Sequence, residues 1–310
     1  MRRLITTVAL LFATLSFATP AFPWGSAFHA HLDGQLGKRV IFDRQERYGG
    51  MGMDVFNFMF GNPAVSSYLY DQTHNQFMKV WDAARLPMGK ALAFGYVSHN
   101  DVWGADMTAH HHGLTFGQGQ GYVIAKAELL KGMLAQIPEF AALNLPDPVV
   151  MEIAHNLVEY GTDILVKRIE PRIGEHVIFS SLARSPEFPL LLVKAYGGGL
   201  ASAAGISRLE AAQLIISTEM EFRKTMIAYG QALTMEEATA IQLVSEQMAA
   251  LAADFLAAYG IVLPEGVDLV PLLKAGIEGA MLLCAADFPG ELAATSEEVA
   301  LQLKAHGIGY

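Results

Sequence analysis

Histidine in this chain is confined to one part of the sequence, and that confinement narrows the folds open to it. Eight of its ten copies fall between Trp24 and His155, interleaved with acids in the order Trp24, His29, His31, Asp54, His74, His99, Asp106, His110, His111, His112, His155 and Glu159. A fold that uses this set must draw segments far apart in sequence into one place. The set reads as ligands for several zinc ions, because imidazole nitrogen and carboxylate oxygen hold hydrolytic zinc while one position stays open for water.

With 52% hydrophobic and 17% charged residues over 310 positions, the chain can bury a large core and is too apolar to be disordered. Met1-Arg2-Arg3, the apolar run Leu4 to Ala18, and Thr19-Pro20-Ala21 have the charge, length and small-residue ending of a secretory signal. The run is shorter than the roughly 20 residues needed to span a bilayer. The expectation is cleavage after Ala21, a secreted or periplasmic mature chain, and no transmembrane segment within it. Losing Arg2 and Arg3 takes the formal charge from −10 to −12 (−10 − 2). Such an acidic surface is not built for non-specific attraction to nucleic acid or anionic lipid. The lone cysteine, Cys284, excludes an intrachain disulfide and reads as a buried structural thiol.

Apolar residues recur at three- and four-residue intervals, and alternating runs are short, so the fold class is all-α. The clearest helices are Gln76 to Ala84, Met88 to Ser98, Tyr122 to Gln136, Asp147 to Glu170, Arg208 to Gln231, Met235 to Tyr259 and Leu269 to Asp287. Thr234 and Ser296, each followed by paired glutamates, read as N-caps. Breaks are expected at Tyr48-Gly49-Gly50, Gly61-Asn62-Pro63, Gly113 to Gly121, Pro138 to Pro148 and Ser185 to Pro189, and Gly197-Gly198-Gly199 reads as a turn. The domain expectation is a signal peptide over 1–21, a zinc-binding helical domain over 22–180, and a helical C-terminal region of unknown role over 181–310.

Within this frame His155 and Glu159 stand four apart on a helix, on one face at chelating distance, with Asp163 four further on. If Gly95 to His112 is one continuous helix, His99, Asp106 and His110 lie within about 40° of one another while Asp101 points away. Gly104 weakens that continuity, so Asp101 stays in reserve as a ligand. Three consecutive histidines cannot share a face. His74 reads as opening the helix that runs through Trp81, and Asp54 is a carboxylate among bulky apolar residues, a costly burial unless a cation accompanies it.

From Trp24 to Asp163 the order of residues resembles the secreted zinc-dependent phospholipases C of bacteria and the related single-strand-specific zinc nucleases. That family is all-helical and holds three zinc ions in a cleft. Trp24-Gly25 and His29 resemble its opening motif, Asp54 and His74 its next two ligands, His99 the start of its central segment, and His155 with Glu159 its closing pair. Trp103 stands where the family has a bridging aspartate, four residues after His99, so that role passes to Asp106 or Asp101. The family interval of six then selects His112, whereas the helical stripe selects His110. In the family the tryptophan's free amine chelates zinc, yet here Pro23 precedes Trp24, and a chain cut after Ala21 would begin at Phe22.

The resemblance implies up to three zinc ions. Two would be bridged by Asp106, one held by Asp54, His74 and His99 and the other by Trp24 and His29, activating a shared water, and a third would sit on His110, His155 and Glu159. Asp54 would also orient or deprotonate that water as the catalytic residue. The implied function is hydrolysis of a phosphodiester, phospholipase C-like, with phospholipid as substrate and peripheral membrane contact. The alternatives are a nuclease or nucleotidase, for which Phe28, Phe58, Phe60 or Trp103 would stack bases, and a non-catalytic metal-binding envelope protein.

Overall fold

A computed structural model describes residues 24–37, 39–57, 59, 63–263 and 266–310. The signal segment and its cleavage point therefore lie outside the described residues, as do most of the Gly61-Asn62-Pro63 break and Phe58 and Phe60. The described residues form helices and no strand, as the 3.6-residue periodicity predicts. In chain order these are α1 (Ser26–Leu36), α2 (Asp43–Met51), a 3-10 helix (Gly52–Phe56), α3 (Pro63–Asn75), α4 (Met78–Ala83), α5 (Pro87–His99), α6 (Ala105–His110), α7 (Tyr122–Leu134) and α8 (Pro138–Ala141). They continue with α9 (Asp147–Ile169), α10 (Ile173–Ala183), α11 (Glu187–Ala204), α12 (Arg208–Thr234), α13 (Glu237–Ala258), α14 (Val270–Cys284) and α15 (Phe288–Ala305).

Proline in the first turn starts α5, α8, α9, α14 and α15, where its missing N–H and fixed φ cost nothing. A capping box of Ser207 with Glu210 starts α12. The two N-caps read from sequence are displaced. Thr234 is the last residue of α12 and returns its hydroxyl to the Gln231 carbonyl, while Ser296 lies inside α15 and does the same to Leu292. Glu236 caps α13 in place of Thr234.

Two glycine breaks turn out to be helical. Gly49 and Gly50 sit inside α2 because α2 and α5 cross at backbone contact: a methyl on Gly49 would overlap the Leu92 carbonyl, and one on Gly95 would overlap that of Glu46. Gly197 to Gly199 lie inside α11, where Gly199 admits the Tyr68 hydroxyl and Gly198 faces open space. The third correction falls on the metal-rich segment. Asn100 ends α5, its side chain accepting from the Val102 and Trp103 amides, so Gly95 to His112 is two helices with a turn between them. His74 closes α3 and does not open the next helix.

One hydrophobic core runs from Trp24 to Ile308 without interruption at residue 180. The C-terminal helices are part of it. Glu291 on α15 receives the Leu114, Thr115 and Phe116 amides at 2.6–3.1 Å and holds the loop between α6 and α7 in place. Cys284 is fully buried, its thiol pushed up to about 11 by desolvation, as expected for a structural residue. Among the described residues no single helix is long and apolar enough to cross a membrane.

The α2–α5 crossing gives a paired test. Gly95→Ala should lower stability by about 1–3 kcal/mol through overpacking against backbone, while Gly198→Ala should raise it by about 0.5–1 kcal/mol through lost unfolded-state entropy. Urea unfolding of both variants checks this, and equal effects of the two would contradict the close crossing.

Candidate metal centre

Six elements deliver the side chains. His29 comes from α1, Asp54 from the 3-10 helix, His74 from the end of α3, His99 from the last position of α5, Asp106 from the first turn of α6, and His155 with Glu159 from the middle of α9. All seven are buried. The turn that breaks α5 from α6 is what lets His99 and Asp106 meet, at 2.8 Å from Nε2 to Oδ2. His29 Nε2 reaches the other Asp106 oxygen at 3.4 Å, and His74 Nε2 lies 3.5 Å from both Asp54 Oδ1 and Asp106 Oδ2. His99 Nε2 is 3.6 Å from Asp54. The His29 and His99 rings stack at 3.6 Å.

The protonation pattern gives these distances their meaning. His99 Nδ1 is 2.7 Å from the Gly50 carbonyl and His74 Nδ1 is 3.1 Å from that of Tyr70. A carbonyl only accepts, so both Nδ1 atoms carry the hydrogen and both Nε2 atoms present a lone pair. Those lone pairs face carboxylate oxygens. Neither Nε2 atom makes a hydrogen bond, nor does either oxygen of Asp106, in surroundings that exclude water. Burial lowers the pKa of His29 and His74 well below the usual value, with neighbouring imidazoles adding to it, and burial also lowers His99. The rings are therefore neutral, and although burial raises the Asp106 carboxyl well above the usual range, a single proton on it does not satisfy all the lone pairs that face it. A cation placed among them does, so the donor set fits a metal ion, with the opposite nitrogen of two imidazoles oriented by backbone as ligating histidines require.

Burial acts on the carboxyls as well. Asp54 is pushed up to about 6 by desolvation, against the pull of His99, His110 and a 2.8 Å hydrogen bond from Asn57. Desolvation raises Asp106 and Glu159 further.

A second group lies beside the first. His155 Nε2 and Glu159 Oε1 are 2.7 Å apart, as the four-residue spacing predicts, and His110 packs edge-on to His155 at 5.2 Å. His110, His155 and Glu159 bring three ligand atoms within 4.8 Å of one another. The choice left open in the sequence is thereby made for His110, since His112 is exposed at the end of α6 and joins no such group. Asp101 does not replace Asp106. It accepts from His110 Nδ1 at 3.1 Å and contacts His111 Nε2 at 3.0 Å, and these two histidines hold its carboxyl below the usual range although burial alone would raise it. Asp101, His110 and His111 could themselves hold an ion.

Other residues fall elsewhere. His31 pairs with Glu170 at 2.6 Å, His176 lies 3.2 Å from the same carboxylate, and His306 stacks on Trp103. Asp163 is a fastener: it accepts the Ala27 and Phe28 amides at 2.8 Å and the Tyr229 hydroxyl at 2.7 Å, tying α1 to α9 and α12. Trp24 is fully buried, and its indole donates to the Ala105 carbonyl at 3.0 Å, fixing the residue next to Asp106. The free-amine question rests on Pro23, outside the described residues.

The centre opens into a cleft of about 580 Å³ that Trp24, Asp54 and Glu159 share with Thr225, Met226, Tyr229 and Gln247 from α12 and α13. Sequence reading gave the C-terminal region no role, because its lining residues carry no metal-ligand signal. It also missed Glu152, one turn before His155, which is buried with Oε1 unpartnered and pushed up to about 8 by desolvation. No family model, no curated protein and no solved structure matches this chain.

Glu152 yields a pH test in metal-free protein. Its folded value of about 8 exceeds the ordinary glutamate value of 4.5, so the folded state binds the extra proton and stability falls as pH rises from 4.5 to 8. Glu152→Gln removes that loss. Its stability relative to wild type should be unchanged at pH 4 and rise by on the order of a few kcal/mol by pH 8, and a difference independent of pH in thermal melts would refute the assignment.

Proposed function

We propose that this chain is a zinc-dependent hydrolase of phosphodiesters, phospholipase C-like in its chemistry. The observation that carries the reading is the convergence of the His29, His74 and His99 Nε2 atoms on the unpartnered oxygens of Asp106, beside the group of His110, His155 and Glu159 and next to a cleft that Asp54 and Glu159 line. The donors are nitrogen and oxygen only, and Cys284 lies buried at the end of α14, which suits zinc in a hydrolytic role over a structural thiolate site. His29, His74, His99, Asp54 and Asp106 would hold one pair of ions, and His110, His155 and Glu159 a third.

Bound zinc would supply a Lewis acid for phosphoryl oxygens and bring the pKa of a coordinated water to about 7. Asp54 then has a second task. It lines the cleft, and Asn57 fixes one of its oxygens, so its carboxylate is oriented to take a proton from an attacking water. Asp101 holds the His110 ring through Nδ1, and Asp163 keeps α1 and α9 in register so that both groups face the same space.

The nuclease reading has less support. Phe28 is fully buried against the Trp24 ring, and Trp103 packs on Phe77 and His306, so neither is free to stack a base. The non-catalytic reading rested on the displaced bridging aspartate and the blocked Trp24 amine; Asp106 stands 2.8–3.5 Å from three histidines despite its altered spacing, while the amine rests on Pro23, outside the described residues. Export through the N-terminal segment belongs to the same proposal.

Metal counting by plasma mass spectrometry, with hydrolysis of phosphatidylcholine and single-stranded DNA compared on one sample, tests the reading. We expect three zinc ions per chain and lipid cleavage, with His99→Ala and His155→Ala each losing zinc and His112→Ala losing none. Asp54→Asn should lower kcat by about 10²-fold or more. Fewer than two zinc ions and neither activity would overturn it, and cleavage of DNA alone would move it to the nuclease branch.

A further inference from the structure

Helix α9 divides two spaces. His155 and Glu159 face the metal groups on one side. Ile153, Leu157 and Tyr160, set around the helix from them, line a separate groove of about 820 Å³ together with Leu143, Leu251 and Phe255 and other residues of α8, α13 and α14. No side chain in the lining is charged, and its only polar members are Asn156 and Tyr160. The Asn156 amide already donates to the Glu152 carbonyl at 2.7 Å, which leaves the walls nearly without polar demand.

The groove adjoins the metal cleft, since Tyr160 and Leu251 line both. A molecule with its phosphate among Asp54, Glu159 and Trp24 therefore meets hydrocarbon walls on leaving the cleft. Leu143, Leu272, Leu273 and Phe255 are only half-buried there, although large contiguous apolar surfaces are seldom left uncovered without a ligand or partner.

We propose that this groove is a binding site for one linear hydrocarbon chain of the phosphate-ester substrate, seated between α9, α13 and α14. The inference rests on the metal-dependent reading above for the position of the phosphate. It adds a determinant of affinity that reading does not name. The substrate is an amphiphile whose affinity is set by chain length, and selection is made by residues of the C-terminal region that no metal-ligand pattern picks out.

Hexyl, octyl, decyl and dodecyl phosphate, titrated calorimetrically into the zinc-loaded chain beside inorganic phosphate, decide the matter. The expected result is a Kd that falls by about two- to fourfold per added methylene, with a heat-capacity change that grows more negative along the series. Ala252→Trp places bulk in the groove, and Leu272→Gln puts an amide on its opposite wall. Each should flatten the series while zinc content and inorganic phosphate affinity stay at wild-type values. A wild-type affinity independent of chain length, with zinc and phosphate binding intact, overturns the groove proposal and leaves the metal reading standing. A chain-length series that persists in a protein lacking zinc and phosphate binding supports the groove and contradicts the metal reading. Concentration-dependent dimerisation abolished by Ala252→Trp, with no series in the wild type, assigns the groove to a second copy and likewise overturns it.

Discussion

The Asp106 carboxylate is the point on which the arrangement depends. It is fully buried, accepts no hydrogen bond, and faces the Nε2 atoms of His29, His74 and His99. A carboxylate desolvated without donors is among the costliest groups a core can contain, and the Nε2 lone pairs of His74 and His99 aimed at it make the charge problem worse. Both of those rings are locked in this orientation by main-chain carbonyls, so rotation offers no escape. A carboxyl proton on Asp106 would satisfy one of these lone pairs and a cation all of them, and α1, α3, α5, α6 and the 3-10 helix all carry side chains into this one space.

The supporting structure explains how such a cluster is kept in place. Gly50, whose carbonyl orients His99, lies in α2 where that helix crosses α5 at glycine contacts, so the hydrogen bond is set by helix packing and not by a mobile loop. Asp163 binds the first amides of α1 from α9, the helix that carries His155 and Glu159. Trp24 reaches from the start of the chain's described part to the residue before Asp106. Ligands on rigid elements with oriented second partners are the condition for a site held to within fractions of an ångström.

Much of this was legible in the residues, for definable reasons. The long helices follow apolar periodicity, and Pro87, Pro148 and Pro271 stand in the first turns of α5, α9 and α14, where proline's fixed φ fits. His155 and Glu159 were readable because four-residue spacing on a helix is a geometric statement. Gly49-Gly50 and Gly197 to Gly199 misled because glycine marks either a turn or a close approach, and only the partner helix decides which. The central segment misled in a more instructive way. A continuous helix would have placed His99, Asp106 and His110 on one stripe, and the actual turn at Asn100 places the first two together and gives His110 to a different group. Asp101, which seemed a rival to Asp106, instead holds His110. The cleft wall from α12 and α13 was illegible because Thr225, Met226 and Gln247 carry no chemical signature until the fold brings them beside Asp54 and Glu159.

Anomalous diffraction at the zinc edge, from crystals grown with zinc, tests the central claim most directly. The account predicts peaks about 2.0–2.2 Å from His74, His99 and Asp54, from His29 and Asp106, and from His110, His155 and Glu159. No peak among these residues, with His99 Nε2 and Asp106 still in direct contact, would contradict it.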